Sequence, residues 1–386
     1  MKNIKFKQFI KLQRGFDLTI KDMEKGIYPV IGSTKIIGYH NKYKKDPLGV
    51  VTGRSGTLGC TQIVNKKYWP HNTTLWVKDF EGNNPYYVYF YLKTINLMKF
   101  NSGASVPTLN RNLLDNLEIR IHSIFEQKKI ASILSAYEQL IENNNRRIEI
   151  LEEIAETIYK EWFVRFRFPG HEKVKMVDSE LGKIPEGWEI TDVYSLVEEK
   201  NTKNDKNEKL SVVSVTNKRK FEYSSEYFTK RVYSESLKKY KIIQKNEFAF
   251  NPARINIGSI AMLEDIDKAI VSPMYSVFRA KNDKIIPLFL WKVINRSSVF
   301  EYIKKLCFGT VRQIFKIKDF SLVYIALPPL GIQKEYEEKA LTNKKMTYKL
   351  KKKNKILENI KNILLLKLIS GKIDVSDLDI KIEDIK

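Results

Sequence analysis

The feature that most limits what this chain can become is that it is written twice. Ile119 to Lys128 recurs as Ile325 to Lys334, a hydrophobic strand end, a short break and a Gln-Lys pair that opens a long helix. Gln127 falls on Gln333 at an offset of 333 − 127 = 206, and the same offset carries Gly103 onto Gly309 without a gap. Two copies of one design therefore share one polypeptide. A chain of 386 residues has room for two such domains, each with its own core.

From Lys5 to about Ile121 short mixed segments are broken by turn signals at Arg14-Gly15, Gly32-Ser33, Asp46-Pro47, Gly53 to Gly59 and Gly82 to Pro85. Leu75-Trp76-Val77 reads as a strand, whereas Tyr86 to Tyr91 fits a strand by composition and a buried helix by packing period. The pattern changes at Glu126, after which no Pro or Gly occurs until Pro169. Alternate steps of four and three from Ile130 land on Leu134, Tyr137, Ile141, Asn144, Ile148, Leu151, Ala155, Ile158 and Trp162. Only Asn144 is polar, which makes the row a coiled-coil seam rather than the broad stripe of a helix lying on a core.

Pro169-Gly170 and Lys183-Ile184-Pro185 break the periodicity, and a second mixed domain begins at Gly187-Trp188 and closes on Pro328-Pro329. A second helix follows, with Met346, Leu350, Leu357, Ile360, Leu364 and Leu368 at helical spacing and Gly371 as its C-cap. The organisation expected is an α+β domain at 1–123, a long helix at 124–165, a linker at 166–185, a second α+β domain at 186–330, a long helix at 331–371 and a tail at 372–386. Two apolar seams separated by a domain bury each other most simply as an antiparallel pair. Each helix, at ~1.5 Å per residue, then spans about 55 Å.

Chemistry is sparsely signalled. The Gly-rich run Gly53-Arg54-Ser55-Gly56-Thr57-Leu58-Gly59 lacks the lysine of a phosphate-cradling loop and reads as a tight turn. Asn251-Pro252-Ala253-Arg254 has only part of the Asn-Pro-Pro-aromatic motif of amino-methyltransferases. His40, His71, His122 and His171 lie far apart and read as surface or turn residues, and Cys60 and Cys307 as small buried apolar ones, so no metal site, cofactor or catalytic group is expected. No apolar run reaches the ~20 residues of a membrane span and the first residues lack a signal-peptide core, which points to a cytoplasmic protein.

What remains is positive charge. Lys and Arg outnumber Asp and Glu by 68 to 45, a formal charge of +23 that suits a polyanionic partner. In the first domain Lys35, Tyr39, Asn41, Lys42 and Lys44 cluster, and Arg54 stands in the Gly-rich turn; in the second, Lys218, Arg219 and Lys220 cluster, with Arg254 before Gly258 and Arg312 further on. Arg grips guanine bidentately, Asn reads adenine and Lys mostly meets phosphate, so these are the candidate DNA-binding residues.

The order of motifs resembles the specificity subunit of type I restriction-modification enzymes. The resemblance rests on Tyr28 to Gly32 followed by Gly38-Tyr39-His40, then Gly103 to Pro107, Gln127 to Ala131, Ile148 to Ile158 and Leu181 to Trp188. It covers essentially the whole chain, although the first domain lacks the Pro-Glu-Gly-Trp opening of the second and Lys353 and Lys361 lie near the second seam. It implies two target-recognition domains, each reading half of a bipartite sequence in double-stranded DNA and separated by antiparallel coiled-coil helices. Those subunit-docking and spacer helices, marked by Ile130, Leu134, Tyr137, Ile141, Asn144, Ile148, Leu151, Leu350, Leu357 and Leu364, would dock two copies of an adenine-methylating modification subunit, and a restriction subunit would join to cleave. The chain itself would not be a catalyst. The competing reading is a coiled-coil adapter whose basic domains bind RNA or acidic proteins.

Overall fold

The computed structural model describes residues 1–103, 105–227, 236–307 and 314–379. The chain divides into two compact units, Met1–Glu149 with Tyr348–Lys386, and Ile150–Thr347. Two helices of 40 residues each, Ile124–Phe163 and Leu330–Ile369, contribute to both.

In the first unit a four-stranded antiparallel sheet runs in the order Lys11–Arg14, Thr74–Asp79, Gly49–Gly53, Thr61–Val64. Beside it Tyr28–Ile31 forms a hairpin with Ile36–His40 and pairs in parallel with Trp69–Pro70. Lys2–Lys5 closes the domain against Glu118–Ile121, with Lys2 opposite Ile121. The Tyr86–Tyr91 run is a helix, Pro85–Thr94, because Asn84 accepts a hydrogen bond from the Tyr87 amide at 3.0 Å and Pro85 supplies the first helical residue. Its residues from Tyr86 to Leu92 are all buried, in a core that includes Phe6, Phe9, Leu114, Ile130 and Leu134.

The second unit repeats the plan of the first. Val197–Lys200, Ser276–Ala280, Phe248–Phe250 and Ile260–Met262 form the four-stranded sheet in the same order, and Glu189–Asp192 pairs with Tyr324–Leu327. The hairpin Val213–Val215 with Phe221–Tyr223 stands where Tyr28–His40 stands in the first domain, as a parallel bridge from Val212 to Ile270 shows. Helix Pro287–Asn295 matches Pro85–Thr94 and again starts on proline.

The Gln residues of the repeat hold each domain to its long helix. The Gln127 side chain accepts from the Asn84 amide at 3.0 Å and donates to the His122 carbonyl at 3.0 Å and to Asn83 Oδ1 at 2.7 Å. Gln333 accepts from the Ile286 amide at 2.9 Å and donates to the Pro328 and Lys284 carbonyls at 2.8 and 3.2 Å. Each amide so captured belongs to the residue just before a helix-starting proline, and both Gln side chains are buried. Ahead of the first helix, Ser123 and Glu126 form a reciprocal cap, with the Ser123 amide on Glu126 Oε2 at 2.8 Å.

All ten seam positions of the first helix, from Ile130 to Trp162, are buried or half-buried. In the first unit Lys129 meets the Val375 and Ser376 carbonyls, Glu138 meets Lys361, and Asn144 meets Asn354. One set of numbers falls as the other rises, so the helices run antiparallel there. In the second unit Tyr336 is packed against Tyr159, Trp162 and Phe163 with ring centroids 5.0 to 6.3 Å apart.

Several expectations change. Met346 and Ile360 are exposed at 42 % and 39 %. The second seam instead steps by three and four through Gln333, Tyr336, Ala340, Asn343, Thr347, Leu350, Asn354, Leu357, Lys361, Leu364 and Leu368, all buried or half-buried. Four of these side chains are polar beyond Gln333, and partners within the seam keep Asn354 and Lys361 in it. Residues 166–185, expected as a linker, contain a hairpin of Met176–Ser179 with Gly182–Pro185, and Phe168 and Ile184 enter the core beside Trp188. His40 and His122 are buried rather than superficial, the latter through a 2.9 Å bond to the Tyr87 hydroxyl. Cys60 and Cys307 are half-buried.

Candidate nucleic-acid interface

In the first domain the hairpin turns through Gly32–Lys35, closed by the Gly32 amide on the Lys35 carbonyl at 2.9 Å. That turn lies against the Gly53–Gly59 loop. A Cβ on Gly53 would sit 2.7 Å from the Ser33 carbonyl oxygen and 2.1 Å from that of Thr57, so the two loops meet only because residue 53 has no side chain. Gln62 reaches across to the Gly32 carbonyl at 2.8 Å and Cys60 to that of Thr34 at 3.7 Å. Gly56 and Gly59 adopt φ of 82° and 79°. Arg54, half-buried, is held by its amide on the Thr73 carbonyl at 2.9 Å, by its own carbonyl under the Leu109 amide at 2.8 Å, and by its guanidinium on the Asn72 carbonyl at 3.4 Å.

The second domain builds the same pair of loops. Its hairpin turns through Thr216–Lys220, carrying Lys218, Arg219 and Lys220, and abuts the 251–259 loop that bears Arg254. A Cβ on Gly258, whose φ is 96°, would lie 2.8 Å from the Asn217 carbonyl oxygen. Ser259 bonds the Val215 carbonyl at 3.5 Å, as Gln62 does the Gly32 carbonyl. Both loops 53–59 and 251–259 join the same two strands of the four-stranded sheet. The loops that carry Lys35 and Arg54 thus lie against each other, and so do those that carry Lys218, Lys220 and Arg254.

Other candidates separate from these. Asn41, Lys42 and Lys44 lie at the opposite end of the hairpin, roughly 16 Å of strand from Lys35, with Tyr39 beside them and 51 % exposed. Asn41 donates to Glu24 at 2.5 Å, and the Lys44 ammonium sits 4.9 Å from the Trp69 ring centre. Asn41, Lys42 and Lys44 line a cleft of about 570 Å³ that also holds Asp22 and Glu24, so that end presents both signs of charge. Arg219 is committed internally: its guanidinium stacks 3.6 Å from the Phe300 ring centre and donates to Asn295 Oδ1 at 2.9 Å. Burial holds its pKa below the ordinary arginine value. Arg312 lies outside the described residues.

Sequence reasoning missed apolar members of the surface. Ile36 and Ile37, next to Lys35, are 43 % and 44 % exposed, and Ile257 and Met274, beside the Arg254 loop, 59 % and 63 %. Side chains of this kind suit contact with thymine methyl groups. Nothing in a strand-like apolar run marks such residues as exposed. Among the described residues no cluster of His, Cys, Asp and Glu could hold a metal ion, and no helix is long and apolar enough to cross a membrane.

A family model described as the type I restriction modification DNA specificity domain matches residues 1–153. The MjaIX specificity subunit of Methanocaldococcus jannaschii, named as part of a type I restriction enzyme, is 29 % identical over 324 residues, covering 76 % of this chain and 70 % of its own. The MjaVIII specificity subunit of the same organism is 26 % identical over 301 residues, covering 75 % and 69 %. A crystal structure of the S subunit of a type I restriction-modification system from M. genitalium shares the fold, with a TM-score of 0.64 at 14 % identity over 95 % of this chain and 96 % of that one.

Proposed function

The chain belongs to the specificity subunits of type I restriction-modification enzymes, and from that premise we propose that its two recognition domains read the two halves of a bipartite sequence in double-stranded DNA. The observation that carries this reading is that each domain sets a basic hairpin turn against a basic glycine-bearing loop at the same place in the duplicated fold. Lys35 and Arg54 serve one half-site; Lys218, Lys220 and Arg254 serve the other. Arginine in such loops reads guanine edges while the lysines fix register on phosphate. Arg219 acts by holding its turn.

The chain selects the sequence and leaves methyl transfer and cleavage to other subunits. Two copies of an adenine-methylating modification subunit dock along the long helices, and a restriction subunit joins them; spacing between half-sites follows from helix length. The test is to express the chain with its modification subunit and sequence the methylated genome. A bipartite methylated motif is expected, and Arg54→Ala and Arg254→Ala each relax one half only, at about 1–3 kcal/mol per lost base contact. Methylation without a bipartite motif, or relaxation of both halves by one substitution, overturns the reading.

A further inference from the structure

We infer that the outward face of the second long helix at Tyr348–Ile356 is a phosphate-binding surface, which contacts the backbone of the bound duplex outside the bases that are read. The inference rests on the DNA-reading role proposed above and adds a contact outside both recognition domains.

Between Glu338 and Glu358 the sequence has no acidic residue and eight lysines in nineteen positions. The seam claims Thr347, Leu350, Asn354 and Leu357. At 3.6 residues per turn, Lys349, Lys352, Lys353 and Lys355 then fall on the solvent side together with Tyr348 and Ile356, and all six are exposed, Tyr348 by 68 %.

Three other lysines of this helix have carboxylate partners: Lys339 with Glu335, Lys344 with Glu264, Lys361 with Glu138. Among the described residues no ion pair involves Lys349, Lys352, Lys353 or Lys355. Their mutual spacings of three and four residues are those at which like charges on a helix repel. A polyanion laid along the face removes that repulsion. The four lysines cover six residue steps, about 9 Å of helix, against a rise of about 3.4 Å along the duplex axis per phosphate of one strand. That is room for about three phosphates, with the Tyr348 hydroxyl as a further donor.

The experiment replaces the four lysines together, Lys349→Gln, Lys352→Gln, Lys353→Gln and Lys355→Gln, substitutions that keep helix propensity. Full-length chain in complex with its modification subunits is titrated with salt against a duplex carrying the methylated motif. The slope of log affinity against log salt is expected to shrink by about 3, at roughly 0.9 per phosphate lost, while the methylated motif stays the same. An unchanged slope overturns the inference. So does loss of the modification subunits from the purified variant complex, which assigns the face to a protein instead. A wild-type complex that binds no duplex and leaves no bipartite methylation removes the DNA-reading role itself, a failure read without the variant.

Discussion

Replacing Gln333 by Met is a sharp test of how a recognition domain is joined to its helix, because Met keeps the length and removes all three hydrogen bonds. The Ile286 amide, bonded at 2.9 Å by the Gln333 carbonyl oxygen, is left without that acceptor beneath a side chain that is 0 % exposed. An unsatisfied buried amide costs about 1–3 kcal/mol, and the lost bonds to the Pro328 and Lys284 carbonyls add about 1 kcal/mol between them after the gain from a more apolar side chain. A loss of about 2–4 kcal/mol is expected, confined to the second unit. Native-state hydrogen exchange reads it directly: the Ile286 amide should exchange some 30- to 1,000-fold faster, since every 1.4 kcal/mol is tenfold, while the Asn84 amide stays as it was. Gln127→Met should give the mirror result, with Asn84 exposed and Ile286 untouched. Unchanged protection at Ile286 would refute the idea that this side chain ties helix to domain.

The buried pair Asn144–Asn354, 2.7 Å apart, should make either single change to Leu cost about 1–3 kcal/mol by stranding an amide, with the double change recovering most of it; additive losses in a double-mutant cycle of urea midpoints would count against a coupled pair. Burial holds His122 below its ordinary value of 6.5. As pH falls the unfolded chain therefore takes up that proton first, and first-unit stability declines from about pH 7 downward through 6.5. The melting temperature of His122→Gln should be flatter over that window, and an equal slope would remove His122 as the cause. Arg219→Ala should loosen the 216–220 turn and weaken one half-site, whereas an arginine reading a base directly would also change which base is preferred there.

The repeat, the seam of the first helix and the two mixed domains were legible because each rests on spacing alone: residues three and four apart share a helix face whatever surrounds them. The second seam was half legible. Leu350, Leu357, Leu364 and Leu368 showed it, but Asn354 and Lys361 stay in it because Asn144, Asn145 and Glu138 meet them across the interface, and tertiary partners leave no mark in one sequence. The basic candidates were found by composition, which does not separate a lysine at a loop tip from an arginine stacked on Phe300. It also joined Lys35 to Lys42 and Lys44, neighbours in sequence that a strand places at opposite ends of a hairpin. The partnership of Arg54 with Lys35, and of Arg254 with Lys218, depended on loops from distant sequence meeting over a glycine.

The polar rung between the helices bears on how a duplicated chain avoids pairing its first helix with the first helix of another copy. Position 354 corresponds in the repeat to 354 − 206 = 148, and position 144 to 144 + 206 = 350, which are Ile148 and Leu350. Two molecules pairing their first helices with each other in the native register would therefore set Asn144 against Ile148 twice over. Each encounter buries an amide with no partner, at about 1–3 kcal/mol. Only a second helix answers that amide with another. Kinship between the halves supplies the shared architecture, and one mismatch in it supplies fidelity, joining two different readers where like could otherwise have found like.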